Sequence, residues 1–324
     1  MTRVLLVGDL HTKTNLLPTI ESAGKQHNVD RIVLLGDYLD DWDMYGVRNV
    51  RSLRAIVDWA RENKNVTLLL GNHDMGYLYT DRRHSGYDYT IEDPASNILY
   101  NNRDLFSVAD WAGNWLFTHA GLCAEWAHEV AGMSDNLSAK ELSERLNSML
   151  PDEGRLDQLR MVSASRGGWE PSPGVVWADQ RDLLADPYRG VNQVVGHTPQ
   201  KTCTAYTFSE TDLAEDVDVI FGEVADGEDI DAEAGAEAAD TEASAEAEAD
   251  VKPTNAKPEA VDAPKEKHSE IIVFCDTFST RRHGEAIGDK SMLLLDSEND
   301  TLYRVLGEEI EEIEKRSTSW IGRD

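Results

Sequence analysis

Val66-Thr67-Leu68-Leu69-Leu70-Gly71-Asn72-His73-Asp74 is the stretch on which the rest of the chain is organised. An unbroken apolar run rich in branched side chains and stopped by glycine reads as a strand buried on both faces. Such a strand delivers an amide, an imidazole and a carboxylate together at its carboxyl end. Open α/β sheets place their ligand crevice there. Taken alone, the Gly71–Asp74 tetrapeptide is equally compatible with a plain turn.

Four further apolar runs end the same way. Val4-Leu5-Leu6-Val7-Gly8 leads to Asp9 and His11, and Ile32-Val33-Leu34-Leu35-Gly36 leads to Asp37 and Asp40. Trp115-Leu116-Phe117-Thr118 leads to His119, and residues 191–195 lead to Gly196-His197-Thr198. Five strands bringing carboxylate, imidazole and amide groups to one sheet edge make a metal centre the simplest expectation. These ligands suit Mn, Fe or Zn rather than soft thiolate chemistry.

The same blocks carry a resemblance. Asp9-Leu10-His11, Gly36-Asp37-Tyr38-Leu39-Asp40, Gly71-Asn72-His73-Asp74, His119 in Thr-His-Ala-Gly, and Gly196-His197-Thr198-Pro199 resemble, in order, the signature of the calcineurin-like metallophosphoesterases. The stretch Phe274-Cys275-Asp276-Thr277 is similar to that family's closing strand, and Trp177-Ala178-Asp179 to a Trp-Ser-Asp segment of its protein phosphatases. Within the superfamily the pattern is most similar to the branch of Ser/Thr protein phosphatases and diadenosine tetraphosphatases. The resemblance implies an α/β four-layer sandwich of two mixed β-sheets flanked by helices. It also implies two divalent metal ions, with manganese favoured. Asp9, His11 and Asp37 would hold one ion, and Asp37, Asn72, His119 and His197 the other. His73 would be the general acid, oriented by Asp40, whose charge would raise its pKa. The plain alternative for His73 is an imidazole that only caps the loop.

The sequence departs from the protein phosphatases in places that matter. Asp41 stands where they carry an arginine after the second aspartate, and Leu70 where they carry one before Gly-Asn-His. Pro199 replaces the extra histidine of the Gly-His-x-His branch. Arg166, followed by Gly167-Gly168, is therefore the first candidate for the phosphate clamp, because a guanidinium suits bidentate phosphate binding. Arg82 and Arg83 come second, and a surface ion pair is the alternative for Arg166. His84 and His283 fall in loops, where substrate contact and simple exposure are both open.

Composition narrows the partners. The 324 residues include 31 basic and 61 acidic side chains, a net charge of −30. Such a surface repels bare nucleic-acid duplexes and anionic membranes. A phosphorylated small molecule, nucleotide or phosphoprotein must then be held by local charge. No apolar run approaches the length of a membrane span, and no leader-like segment opens the chain, so a cytoplasmic protein is expected. Cys123, Cys203 and Cys275 lack paired spacing, which fits free thiols in a reducing compartment.

The acidity is concentrated. Residues 209–267 hold 20 acidic and 4 basic side chains, a net of −16. Residues 211–266 form a low-complexity Ala/Glu/Asp tract with too little apolar surface to fold, so disorder is expected. The tract interrupts two expected neighbouring strands, 202–208 and 271–274, which makes it an insertion in a single domain spanning 1–324. Elsewhere, helices are expected over 14–27, 47–63 and 138–150, with Ser138 and Glu141 as a capping box. A strand is expected over 291–295 and a short exposed helix over 308–315. Residues 75–95, with Tyr77, Tyr79, Tyr87 and Tyr89, read as a long loop that either touches substrate or packs on the domain.

The expected activity is phosphomonoester hydrolysis by a metal-activated water. Hydrolysis of nucleotides or dinucleoside polyphosphates is the alternative, favoured slightly by tyrosines that could stack on a base. An acidic scaffold with a vestigial site is the alternative of another class.

Overall fold

The computed structural model describes residues 2–42, 44–81, 83–208 and 270–317. The acidic tract 211–266 and Arg82 lie outside them. In chain order the first sheet takes β1 (Arg3–Val7), β2 (Arg31–Leu34), β3 (Val66–Leu69) and β4 (Phe106–Ser107), then β10 (Met292–Asp296), β11 (Thr301–Leu306) and β12 (Glu309–Glu312). The second takes β5 (Ala109–Ala112), β6 (Trp115–Thr118), β7 (Asn192–Pro199), β8 (Thr204–Phe208), β9 (Glu270–Asp276) and β13 (Lys315–Ser317). The seven-stranded sheet runs β12-β11-β10-β1-β2-β3-β4, and the six-stranded sheet β13-β8-β9-β7-β6-β5. β1 to β4 are parallel, as are β6, β7 and β9, with antiparallel strands added at the flanks.

The apolar runs are buried on both faces because each face has a different neighbour. Val4, Leu6, Val33, Leu35 and Leu69 pack against Trp115, Phe117, Val194 and Val273 of the other sheet. The alternate residues Leu5, Val7, Ile32, Leu34 and Leu68 join a core with Ile20, Leu53, Ile56 and Val57 from the helices. On the far side Leu142 and Leu146 belong to the same core as Leu116 and Val195. The layers are therefore helix, sheet, sheet, helix. Burying one such leucine is worth about 1.5–3 kcal/mol.

Three of the expected helices form close to their expected bounds, and others join them among the described residues. Together they are α1 (Leu17–Gln26), α2 (Val47–Glu62), α3 (Asn72–Leu78), α4 (Glu92–Asn101), α5 (Ala139–Met149), α6 (Glu153–Leu159) and α7 (Gln180–Ala185). Ser138 caps α5, accepting from the Glu141 amide, while Glu141 accepts in return.

Two expectations change. Residues 308–315 are not helical: β12 pairs antiparallel with β11, and Leu306 faces Glu309 across a turn at Gly307, where φ is 61°. The spacing of Ile310 and Ile313 imitates a helix, but the free edge of β11 supplies backbone partners that a short exposed helix lacks. Residues 75–95 are also not a single loop. They contain most of α3, a 3₁₀ turn at Tyr89–Ile91 and the start of α4.

β8 and β9 pair directly, with Phe208 opposite Glu270. The chain therefore leaves and returns at one end of an antiparallel pair.

Candidate active site

The strand ends meet between the two sheets. β1, β2 and β3 deliver Asp9, Asp37 and Asn72 from one sheet, and β6 and β7 deliver His119 and His197 from the other. These groups were expected on one sheet edge; the structure divides them between two. They are nonetheless joined, since the His197 backbone N–H donates to both Asp9 carboxylate oxygens at 3.1 Å.

The Asn-His-Asp triplet lies beyond β3 and is helical. It opens α3, and its aspartate is an anchor. The Asp74 carboxylate, fully buried, accepts from the backbone N–H groups of Gly71, Asp37 and Tyr38 at 2.8–3.0 Å. This ties the turn after β2 to the turn after β3. The Asp37 carboxylate in turn accepts from the His73 N–H at 3.0 Å. Glycine is required beside it, because a Cβ on Gly71 would lie 2.0 Å from Asp37 Oδ1.

Asp37 belongs to two clusters at once, Asp9–His11–Asp37 and Asp37–His119–His197, each with ligand-type atoms within 4.8 Å of one another. His11 Nδ1 donates to the Leu39 carbonyl at 2.9 Å, and His119 Nδ1 to the Leu35 carbonyl at 2.8 Å. A neutral imidazole so held keeps its lone pair on Nε2. Both Nε2 atoms face Asp37 Oδ2, at 4.0 and 3.6 Å. His119 Nε2 also lies 3.0 Å from Asn72 Oδ1 and 3.1 Å from His197 Nδ1. Electron-pair donors converge there with few protons between them, which is the donor set that a divalent cation fits.

The electrostatics agree. Burial raises the Asp9 and Asp37 carboxyls well above the usual range, with Asp276 adding to Asp9 and Asp74 to Asp37. Burial lowers His11 to about 4 and His119 to about 3. His197 is pushed well down by burial, then by the Arg166 charge. Without a cation, the carboxylates resist ionising and the histidines resist protonation. Backbone strain accompanies this. His11, Asp37, Asp40 and His197 sit at φ of 37°, 52°, 59° and 63°, the left-handed region. At His197 the irregular register of β7 against β9, between Val195 and Pro199, turns the ring into the site.

His73 and Asp40 are paired, with Nδ1 2.9 Å from Oδ2, and His73 Nε2 faces Asp37 Oδ2 at 4.0 Å. Asp40 lies low: burial would raise it, but hydrogen bonds from His73 and His84 outweigh that. One expectation is reversed. Asp40 does act to raise His73, but burial and the His84 charge win, and the net direction is downward.

Arg166 reaches the site. Its Nη2 donates to Thr198 Oγ1 at 2.9 Å, its Nε lies 2.9 Å from Asp179, and its charge acts on both His119 and His197. Arg83 is engaged elsewhere, with Glu92 at 3.1 Å and over the Tyr89 ring at 5.0 Å. Arg82 is outside the described residues.

Two residues given no role from the sequence, Asp276 and Lys13, stand at the site, and the two loop histidines left open there part ways. Asp276 closes β9, is 1 % exposed and accepts from Ser279 Oγ at 2.8 Å. It stood in the closing strand quoted above, and the apolar run before it was the available signal. Lys13 Nζ donates to Asp41 at 3.0 Å, which puts a cation beside the acid that replaces the missing arginine. His84 is no surface residue, its side chain being 2 % exposed and 2.6 Å from Asp40. His283 is exposed.

The family profile for Calcineurin-like phosphoesterase matches residues 2–222, and the chain belongs to that family. It is a metallophosphoesterase, a metal-dependent hydrolase of phosphoric esters. No curated protein matches the chain significantly. Among solved structures it is similar to a cold-active protein tyrosine phosphatase, at 16 % identity over 97 % of this chain and 79 % of that one, with a TM-score of 0.49. It is also similar to a metallophosphoesterase from Sphaerobacter thermophilus, at 14 % identity over 97 % and 90 %, with a TM-score of 0.39. Overlaps this loose carry no substrate from one protein to another. No helix among the described residues is long and apolar enough to cross a membrane.

Proposed function

We propose that the protein hydrolyses phosphomonoesters, in the manner of the protein phosphatase branch, on a small molecule or a phosphoprotein. One observation carries the reading: the carboxylate of Asp37 is shared by two His–carboxylate clusters. Asp9, His11 and Asp37 would hold one divalent ion, and Asp37, Asn72, His119 and His197 a second. Manganese is the first candidate, since carboxylate and amide oxygens weigh towards a harder ion than zinc. Ions held there would supply an acidified water and charge neutralisation for the phosphoryl oxygens.

The side chains do the rest. Asn72 contributes a neutral oxygen, which limits the negative charge facing the phosphate. His73 presents Nε2 to the leaving oxygen and gives it a proton, while Nδ1 stays bonded to Asp40. Burial opposes protonated His73 in the free protein. An incoming phosphate dianion acts in the opposite direction, so the acid is charged when substrate is in place.

Arg166 binds a phosphoryl oxygen. Arg166→Ala is expected to lower kcat/KM by about 10- to 100-fold, as for loss of a charged hydrogen bond of about 1.5–3 kcal/mol. Metal content should not change, and Arg166→Lys should recover only part of the loss. A kinetically silent Arg166→Ala, with Arg82→Ala or Arg83→Ala crippled, would move the clamp to the other segment.

The nucleotide alternative loses much of its support. Tyr77 and Tyr87 are buried and stacked on each other at 4.3 Å, leaving Tyr89 as the exposed ring. A vestigial site is disfavoured by the complete donor set. Metal analysis and turnover of a chromogenic phosphomonoester with added manganese test the reading together. Absence of both bound metal and turnover would overturn it.

Residues 211–266 are, in this reading, an insertion in a single domain. Removing them and joining the ends by a short turn is expected to leave melting temperature and turnover close to those of the full chain, because β8 and β9 pair directly and loop-closure cost changes slowly with length. A fall of many degrees would show that the tract stabilises the domain.

A further inference from the structure

Asp40 receives two imidazoles, and only one of them faces the shared carboxylate of Asp37. His73 Nδ1 lies 2.9 Å from Asp40 Oδ2, and His84 Nε2 lies 2.6 Å from the same oxygen. The other oxygen accepts from the Tyr77 hydroxyl at 2.7 Å and from Asn49 Nδ2 at 3.2 Å. A carboxylate offers about four lone-pair sites, so these four donors saturate it. The His73 and His84 rings are 4.1 Å apart between centroids and tilted by 58°, so His84 also walls one side of the His73 ring.

His84 is itself held firmly. Tyr77 and Tyr87 lie edge-on to it at 5.8 and 5.4 Å. Arg160 pins the segment before it, donating to the Tyr79 carbonyl at 3.2 Å and to Asp81 at 2.8 Å. The Tyr87 hydroxyl donates to Glu92 at 2.9 Å after it. His84 Nδ1 is buried without a hydrogen-bond partner, so the ring's one polar attachment is to Asp40. Nothing in the packing alone asks for an imidazole here, since a phenyl ring would fill the same space without leaving a buried nitrogen unpaired.

We infer that His84 is a positioning residue: by clamping the Asp40 carboxylate it fixes the direction in which His73 points its outer nitrogen. Without His84, Oδ2 keeps only the His73 bond, and a carboxylate anchored by Tyr77 and Asn49 on Oδ1 can still rock about its last torsion and carry the ring with it. Two imidazoles on one oxygen, with Tyr77 and Asn49 on the other, leave a single orientation. A misplacement of about 1 Å can cost about 10²-fold in rate, so the clamp matters in the step where the leaving oxygen takes its proton. The inference rests on the assignment of His73 as the acid.

The test uses the full, manganese-loaded chain and two esters. 4-Nitrophenyl phosphate has a good leaving group and little need of a proton; phenyl phosphate has a poor one. His84→Phe keeps the ring volume and removes the donor. It is expected to lower kcat on phenyl phosphate about tenfold more than on 4-nitrophenyl phosphate, a part of the 10²–10⁴ that general acid catalysis supplies. KM and metal content should stay level. His84→Gln, whose amide N–H reaches as far as Nε2, should recover most of the loss. A merely structural role would lower both esters alike and show no such recovery, and that result overturns the inference. Should His84→Phe not fold, His84→Asn, whose amide falls short of Asp40, carries the same comparison. His73→Asn is the control. If it shows no leaving-group dependence, the acid assignment and this inference fall together. If it does and the His84 variants do not, the inference alone fails.

Discussion

Asp37→Asn is expected to lose bound metal from both halves of the centre, because one carboxylate serves both clusters. Turnover should fall by more than the roughly 10–100-fold typical of changing a mere partner of a metal ligand. The same substitution should raise the melting temperature of the metal-free protein. Asp9, Asp37, Asp74 and Asp276 are all buried, and Asp74 and Asp276 both act to raise Asp37. Removing one of these like charges relieves the others, and asparagine can still accept from the His73 N–H through Oδ1. In a protein of this size each kcal/mol gained moves the melting temperature by about 2–4 °C. Metal analysis and melting curves with and without chelator give both readings. Full metal content in the variant would remove Asp37 from the bridging role.

A pH dependence follows from the same cluster. The folded pKa of Asp74 is raised to about 7, and those of Asp9 and Asp37 well above the ordinary value. A raised acid binds more protons folded than unfolded, so its contribution to stability is present below its unfolded pKa and lost as pH rises through the folded one. The lowered histidines act oppositely, but their window closes near about pH 6.5, where both states are neutral. Metal-free protein should therefore lose stability as pH rises from about 6.5 through about 7, where folded Asp74 gives up its proton, and metal-loaded protein should lose less, since bound cations would stand in for the protons. A metal-free melting temperature that is flat or rising over that range would contradict this account.

His73→Asn is the second large effect. It should retain metal and lose turnover by about 10²–10⁴-fold on substrates with poor leaving groups. The backbone N–H of residue 73, which holds Asp37, is kept in the variant. His73 belongs to neither of the two clusters that share Asp37, so it is expected to act on the substrate and not to ligate. Near-normal turnover of phenyl phosphate would end the acid assignment. Loss of metal would mean that the ring supports the centre directly.

How much of this could be read beforehand depends on the range of the interactions. The strand runs were legible because each is apolar on both faces, and both faces proved to be covered. The cluster of donor groups was legible because its residues follow those strands. What pairs with what was not. Asp74 was read only as a carboxylate delivered after the strand, and it is the clasp between two turns. His84 lies 44 positions from Asp40 and no local pattern announces their contact. The last strands were misread because an edge in need of backbone partners outweighs the local spacing of two isoleucines. Arg166 was found by elimination and its partner Thr198 could not have been, since a surface turn gives no sign of which wall it leans on.

The left-handed backbone at His11, Asp37, Asp40 and His197 bears on how this protein can change. Each such residue holds a conformation that costs of order 1–3 kcal/mol and that glycine adopts without penalty. A population selected for heat resistance alone would gain by replacing them, and every gain would delete a group from the centre. Laboratory evolution here must select for survival and turnover in the same round. Ranking variants first by melting temperature would discard the working enzyme early.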